Sequence, residues 1–245
     1  MKALVERLQR LHAEGHAAET EHRDERHFAA PDLTPAAVLA AITAGPRPGF
    51  LLIHRPSNMR SHPGQVAFPG GKIDPGEDAV EAALREAHEE LGIHARDVTV
   101  IGPSDTYLSG SGYAITPVIA VIPPDLELHP NPTEVAQWFE APVDFVFDAA
   151  NHQQNSAVWQ GQERRYIEIM WQHHRIWGVT AGIIANLARI ELASREYAAS
   201  KSSFNPASSS VSFIPAFFAI KILAYLEEVV PSSLVSSSSY NFSPG

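Results

Sequence analysis

Cysteine is missing from all 245 residues of the chain. Disulfides, thiolate metal sites and cysteine nucleophiles are therefore excluded, and a reducing compartment suits the composition. Positive charge is scarce as well: 18 Lys and Arg stand against 28 Asp and Glu, a formal net charge of −10. That balance speaks against a nucleic-acid partner and repels a polyphosphate at long range, so an anionic ligand needs local cations to hold it. No apolar run reaches the roughly 20 uninterrupted residues of a membrane-spanning helix. The most apolar stretch, Phe213 to Val230, is broken by Pro215 and Lys221 and closed by Glu227-Glu228. Lys2, Glu6, Arg7 and Arg10 stand where a secretory signal would carry an apolar segment, so no stable membrane span is expected and the cytoplasm is the expected location. No Walker-type loop and no Gly-x-Ser-x-Gly elbow occurs, and His88-Glu89-Glu90 opens like a zinc-protease helix but meets Gly92 where the second histidine should be.

What the chain does have is a run of carboxylates and glycines from Gly71 to Ile93. Helical residues turn by about 100° each, which places Glu86 and Glu90 within roughly 40° of one another and Glu89 about 60° to the other side of Glu86. Three like charges on one stripe destabilise an isolated helix by a few tenths of a kcal/mol per pair, roughly, and call for a cation. Val80, Ala83, Leu84, Ala87 and Leu91 form an adjacent apolar stripe that would pack. Asp74-Pro75-Gly76 marks the start of the helix, Glu77 and Asp78 suit its N-terminal dipole, and Gly92 suits a left-handed cap.

Upstream the sign of charge reverses. Residues 51 to 73 contain Arg55, Arg60 and Lys72 and no acid, whereas 74 to 90 contain seven acids and only Arg85 as a cation. Arginine's planar fork suits bidentate phosphate contact, and Gly64, Gly70 and Gly71 allow backbone to approach a ligand. A local structural role for the arginines at a strand end is the competing reading.

Gly71, five residues, Glu77, seven residues, Arg85-Glu86, two residues, Glu89-Glu90, one residue, Gly92-Ile93: this spacing resembles the box of the Nudix hydrolases at every fixed position. The stretch Leu51-Leu52-Ile53-His54-Arg55, with Arg60, His62 and Gly64 to Gly71, resembles the signature of the coenzyme A pyrophosphatase branch, although Ile53 and Pro56 depart from its usual residues. Further echoes lie at Asp105-Thr106-Tyr107, Ser111-Gly112-Tyr113, Asn131 to Val135 and Ile176 to Ala181. The resemblance implies an α/β fold, the Nudix α/β/α sandwich with a mixed β-sheet. It implies hydrolysis of coenzyme A or its thioesters to 3′,5′-ADP and 4′-phosphopantetheine or the acyl form. It also implies Mg²⁺ or Mn²⁺ held by Glu86, Glu89, Glu90 and the Gly71 carbonyl, with Arg85 orienting the box carboxylates and Glu89 or an acid outside the box taking a proton. Arg55, Arg60, Gly64 and Lys72 would bind substrate. The same box would serve ADP-ribose, dinucleotides or nucleoside triphosphates, or a non-catalytic nucleotide sensor. Glu134 reads either as a helix-start carboxylate or as an extra acid near the metal. A homodimer is compatible with all of these readings.

Along the chain, Met1 to about Leu33 reads as a charged helical stretch, with residues 1–24 an arm ahead of a domain over 25–199. Thr34 to Thr43 is expected to be a short helix, Phe50 to His54, Val98 to Gly102 and Tyr113 to Ile122 strands, and Trp177 to Leu187 a core helix. Interleaved helices and strands imply a layered α/β domain. His173-His174 reads as a solvated pair. Residues 200–245 hold 14 serines against 7 in the preceding 199, a change of composition that marks a partly disordered appendage dispensable for catalysis; truncation near residue 199 should leave soluble activity.

Overall fold

The structure, a computed structural model, describes residues 1–16, 24–28, 32–58, 63–159 and 161–190. The serine-rich 200–245 segment lies outside the described residues. Helix α1 spans Lys2–His16. The strands β1 (Thr34–Thr43), β2 (Gly49–His54), β3 (Val66–Ala67) and β4 (Gly70–Lys72) precede helix α2 (Ala79–Leu91). Next come β5 (Thr99–Pro103), β6 (Tyr107–Leu108), β7 (Tyr113–Ile122), β8 (Gln137–Pro142) and the short helix α3 (Val143–Phe147). The strands β9 (Gln153–Trp159), β10 (Gln162–Trp171) and β11 (His174–Trp177) follow, and residues 179–190 form helix α4.

Eight strands form one mixed sheet. Its spine runs β3-β2-β1-β7-β5, with β4 paired to β1, β6 to β7 and β8 to β2. β1 and β7 run parallel through ten residue pairs, from Thr34 opposite Tyr113 to Thr43 opposite Ile122. The remaining pairings are antiparallel. β9, β10 and β11 form a separate antiparallel sheet. The expected sandwich is thus present: α2 lies on one face of the large sheet, and the small sheet with α4 covers the other.

The helix expected over Thr34 to Thr43 is instead the central strand. Pro35 to Ile42 is apolar throughout, so no period can be read from it, and alanine favours helix only where packing does not decide. Folding imposes a period of two. Ala37, Leu39 and Ala41 pack toward α2, while Ala40 and Ile42 join the core shared with the small sheet. A strand buried on both faces leaves no polar residue to reveal its alternation.

The other expected strands lie within a residue of their predicted ends, and the core helix expected over Trp177 to Leu187 runs over residues 179–190. α1 lays Leu4 and Leu8 against the core, and His12 Nε2 bonds the Pro103 carbonyl at 2.8 Å beside edge strand β5. Among the described residues no helix is long and apolar enough to cross a membrane.

Candidate active site

The site begins with the caps of α2. Asp78 accepts hydrogen bonds from the amides of Val80 (2.8 Å) and Glu81 (2.9 Å), while the Glu81 side chain accepts from the Asp78 amide, a closed capping box. At the other end Gly92 takes φ +72°, donating to the His88 carbonyl. That left-handed position favours glycine. Ala82, Ala83, Ala87 and Leu91 bury the apolar stripe against the sheet. Leu91 is fully buried, so truncation to alanine costs about 2–5 kcal/mol. The helix is pinned by that face, and its carboxylates are held on the flank beside it.

Glu90 is almost wholly buried, 1% exposed, and one of its oxygens accepts from the Gly70 amide at 3.0 Å. Glu86 is partly buried beside it. The loop before β8 brings a third acid: Asn131 donates its backbone amide to the Glu90 carbonyl (2.8 Å) and its side-chain amide to Glu134 (3.1 Å). Oxygens of Glu86, Glu90 and Glu134 all fall within 4.8 Å of one another. No helix begins at Glu134; residues 132–134 form a turn, in which the Glu134 amide donates to the Asn131 carbonyl.

Arg85 organises the flank. Its Nε and Nη2 grip both oxygens of Glu77 (2.7 and 3.0 Å), Nη1 reaches Glu86 (2.9 Å) and Glu89 (3.2 Å), and Nη2 also donates to the Lys72 carbonyl (3.0 Å). These bonds, Glu77's first, raise the guanidinium's affinity for its proton, and Glu77 is correspondingly held below the ordinary carboxylate range. Glu89 is about half exposed and stands outside the Glu86, Glu90 and Glu134 trio. Gly71 sits so close to the Glu86 carboxylate that any side chain would overlap it.

Of the remaining residues singled out in the sequence, Arg55 projects near enough to Glu90 to favour its ionised form, and its Nε is buried without a hydrogen-bond partner among the described residues. Lys72 is exposed. Gly64 is exposed with φ +68° and open space around it. Arg60 and His62 lie outside the described residues. His173-His174 is not a solvated pair: His174 is buried, stacks on Phe139 with centroids 3.6 Å apart, and bonds His54 at 2.8 Å. Burial pushes both His54 and His174 toward the neutral form. A sequence carries no sign of this pair, because its halves lie on different sheets.

Burial also pushes Glu90 up to about 8, with Glu86 adding to the rise, and burial raises Glu86 too. The donor set is all oxygen and electrostatically strained, which fits a hard divalent cation such as Mg²⁺ or Mn²⁺. A consequence can be measured. A carboxyl raised in the folded state stabilises the metal-free protein fully below the ordinary glutamate range, and that contribution is lost as pH rises through about 8. Melting temperatures of metal-free protein should therefore fall between pH 5 and pH 8, Glu90→Gln should flatten the fall, and saturating Mg²⁺ should reverse it, because binding displaces the proton. A melting temperature of metal-free protein that stayed level over this range would contradict the burial of an ionisable Glu90.

The NUDIX domain family matches residues 33–160. A protein of Photorhabdus laumondii described as an uncharacterized Nudix hydrolase, NudL, is 43% identical over 155 residues, spanning 63% of this chain and 83% of that one. A protein of the same description from Enterobacter sp. strain 638 is 43% identical over 154 residues, 62% of this chain and 80% of that one. Among solved structures, a Caenorhabditis elegans Ap4A hydrolase binary complex is similar at 23% identity, covering 46% of this chain and 82% of that one, with a TM-score of 0.39. A Mycobacterium smegmatis Nudix hydrolase, RenU, is similar at 30% identity over 48% and 74%, also with a TM-score of 0.39.

Proposed function

Because the chain belongs to the Nudix hydrolase family, we propose that it cleaves the diphosphate of coenzyme A or its thioesters, releasing 3′,5′-ADP and 4′-phosphopantetheine or its acyl form. The observation that carries this reading is the convergence of Glu86, Glu90 and Glu134 beside Arg55, a cation whose buried Nε lacks a hydrogen-bond partner among the described residues. Oxygen donors for a cation and a donor for phosphate meet in one place. The preference for coenzyme A rests on the resemblance of residues 51–71 to that branch of the family.

Glu86, Glu90 and Glu134 would hold Mg²⁺ or Mn²⁺, with the Gly71 carbonyl as a further donor. When bound, the cation neutralises charge on the diphosphate and makes water a stronger nucleophile at neutral pH. Arg55 engages phosphate oxygens and Lys72 adds positive charge nearby, while Arg60, outside the described residues, is assigned to substrate binding on the resemblance alone. Gly64 leaves room for close approach of the ligand to backbone. Glu89, exposed and steadied by Arg85, accepts the proton of the attacking water. Arg85 fixes the facing direction of Glu86 through Glu77, so the ligand set is arranged before substrate arrives. Action in the cytoplasm is part of this proposal and rests on the cysteine-free composition.

The test is a product assay by mass spectrometry with Mg²⁺ or Mn²⁺, across coenzyme A, its thioesters, ADP-ribose, diadenosine polyphosphates and nucleoside triphosphates. Coenzyme A or a thioester should give the highest kcat/KM and the two products named. Faster turnover of ADP-ribose would reassign the substrate while keeping the reaction class. No turnover of any of them would favour a nucleotide-sensing module.

A further inference from the structure

Trp138 is 41% exposed, one of the few large apolar side chains left open to solvent among the described residues. It sits on β8, which pairs with β2 alone. Phe139 and Ala141 on that strand turn into the core shared with the small sheet, so Trp138 points to the opposite face, the one that carries α2. Its direct cross-strand partner is Ile53. Arg55 follows two residues after Ile53 and one residue beyond the end of β2, within about 7 Å of Ile53 along the chain. Glu134 belongs to the same segment, four residues before Trp138, which limits their separation to about 14 Å along the chain. Trp138 pairs with no aromatic ring among the described residues, whereas Trp171 packs on Phe145 and Trp177 on Tyr166.

We propose that Trp138 is the stacking platform for the purine base in the nucleotide half of the substrate. This rests on the reading of the site as a diphosphatase and extends it to the part of the ligand that does not react. The carboxylate trio and Arg55 fix the anionic diphosphate, so the uncharged aromatic end must lie against a neighbouring surface. An indole face at the open edge of the sheet, within the span of a nucleoside diphosphate from Glu134, offers the flat apolar surface that a base requires. Stacking on an indole needs no hydrogen-bond pattern, and a tryptophan loses little conformational freedom when a base lies on it.

Two probes that resist hydrolysis separate the base from the diphosphate: α,β-methylene-ADP and methylenediphosphonate. Calorimetry with the full chain and Mg²⁺ should show Trp138→Ala weakening α,β-methylene-ADP by about 10-fold or more, with methylenediphosphonate unchanged. Trp138→Phe should stay within about 3-fold of the parent for both, since an aromatic face is retained. Equal weakening of both probes would overturn the inference, because it would mean a general disturbance of the site. Unchanged α,β-methylene-ADP affinity would overturn it too, and a shift of oligomeric state in the same variant would then assign Trp138 to an interface between copies. Because neither probe is turned over, failure of the proposed reaction shows separately, as a parent protein inactive on the whole substrate panel.

Discussion

Glu90→Gln lowers metal-dependent turnover by about 10²-fold or more while leaving the metal-free fold at least as stable at neutral pH. The magnitude is that of losing one positioned catalytic group. The substitution keeps the shape and an acceptor for the Gly70 amide, which donates to Glu90 at 3.0 Å, and removes only the charge. Stability does not suffer because a carboxylate only 1% exposed is costly to ionise without a cation beside it. Glu134→Gln should follow Glu90→Gln in raising the Mg²⁺ concentration needed for half-maximal rate. Glu89→Gln should leave that concentration near the parent's and lower kcat, because Glu89 lies outside the trio. The measurements are steady-state rates over a Mg²⁺ series together with thermal melts. A Glu90→Gln protein with the parent's rate and Mg²⁺ dependence would remove Glu90 from the ligand set.

Arg85→Ala should cost a similar factor, about 10²-fold, by a different route. Arg85 touches no substrate in this scheme. It ties Glu77, Glu86, Glu89 and the Lys72 carbonyl into one unit, so its loss frees Glu86 to turn away from Glu90 and leaves Glu77 with only the Asp74 amide as partner. Turnover should fall, the Mg²⁺ requirement should rise, and the melting temperature should drop. Arg85→Lys should recover little, because one ammonium cannot span three carboxylates and a carbonyl as a planar fork does. Turnover of Arg85→Ala within about 3-fold of the parent, at the parent's Mg²⁺ requirement, would mean that Glu86 holds its direction without help.

The carboxylate helix was legible because everything that builds it is local. Asp78 and Glu81 cap it, Gly92 ends it, and the positions of Ala83, Ala87 and Leu91 follow from a fixed angle per residue. β7 and β2 were legible as dense apolar runs. β1 was not: its run of small apolar residues suits either element, and only the neighbours β7, β2 and β4 make it a strand. His174 was misread for a related reason, since exposure depends on Phe139 and His54, which reach it from other strands.

Residue order alone determined that carboxylates share one helix flank, that a basic glycine-containing segment precedes it, and that there is no thiol anywhere. It could not say which acids meet. Spacing along a helix puts Glu86, Glu89 and Glu90 on one stripe, yet packing buries Glu90, leaves Glu89 on the rim with Arg85, and brings Glu134 in from the loop before β8. The reason is physical. Helical angles are set by covalent geometry and short-range hydrogen bonds, whereas the distance between Glu90 and Glu134 is set by the loop that docks on the end of α2 and by the ladder of β8 on β2, contacts between segments far apart in the chain.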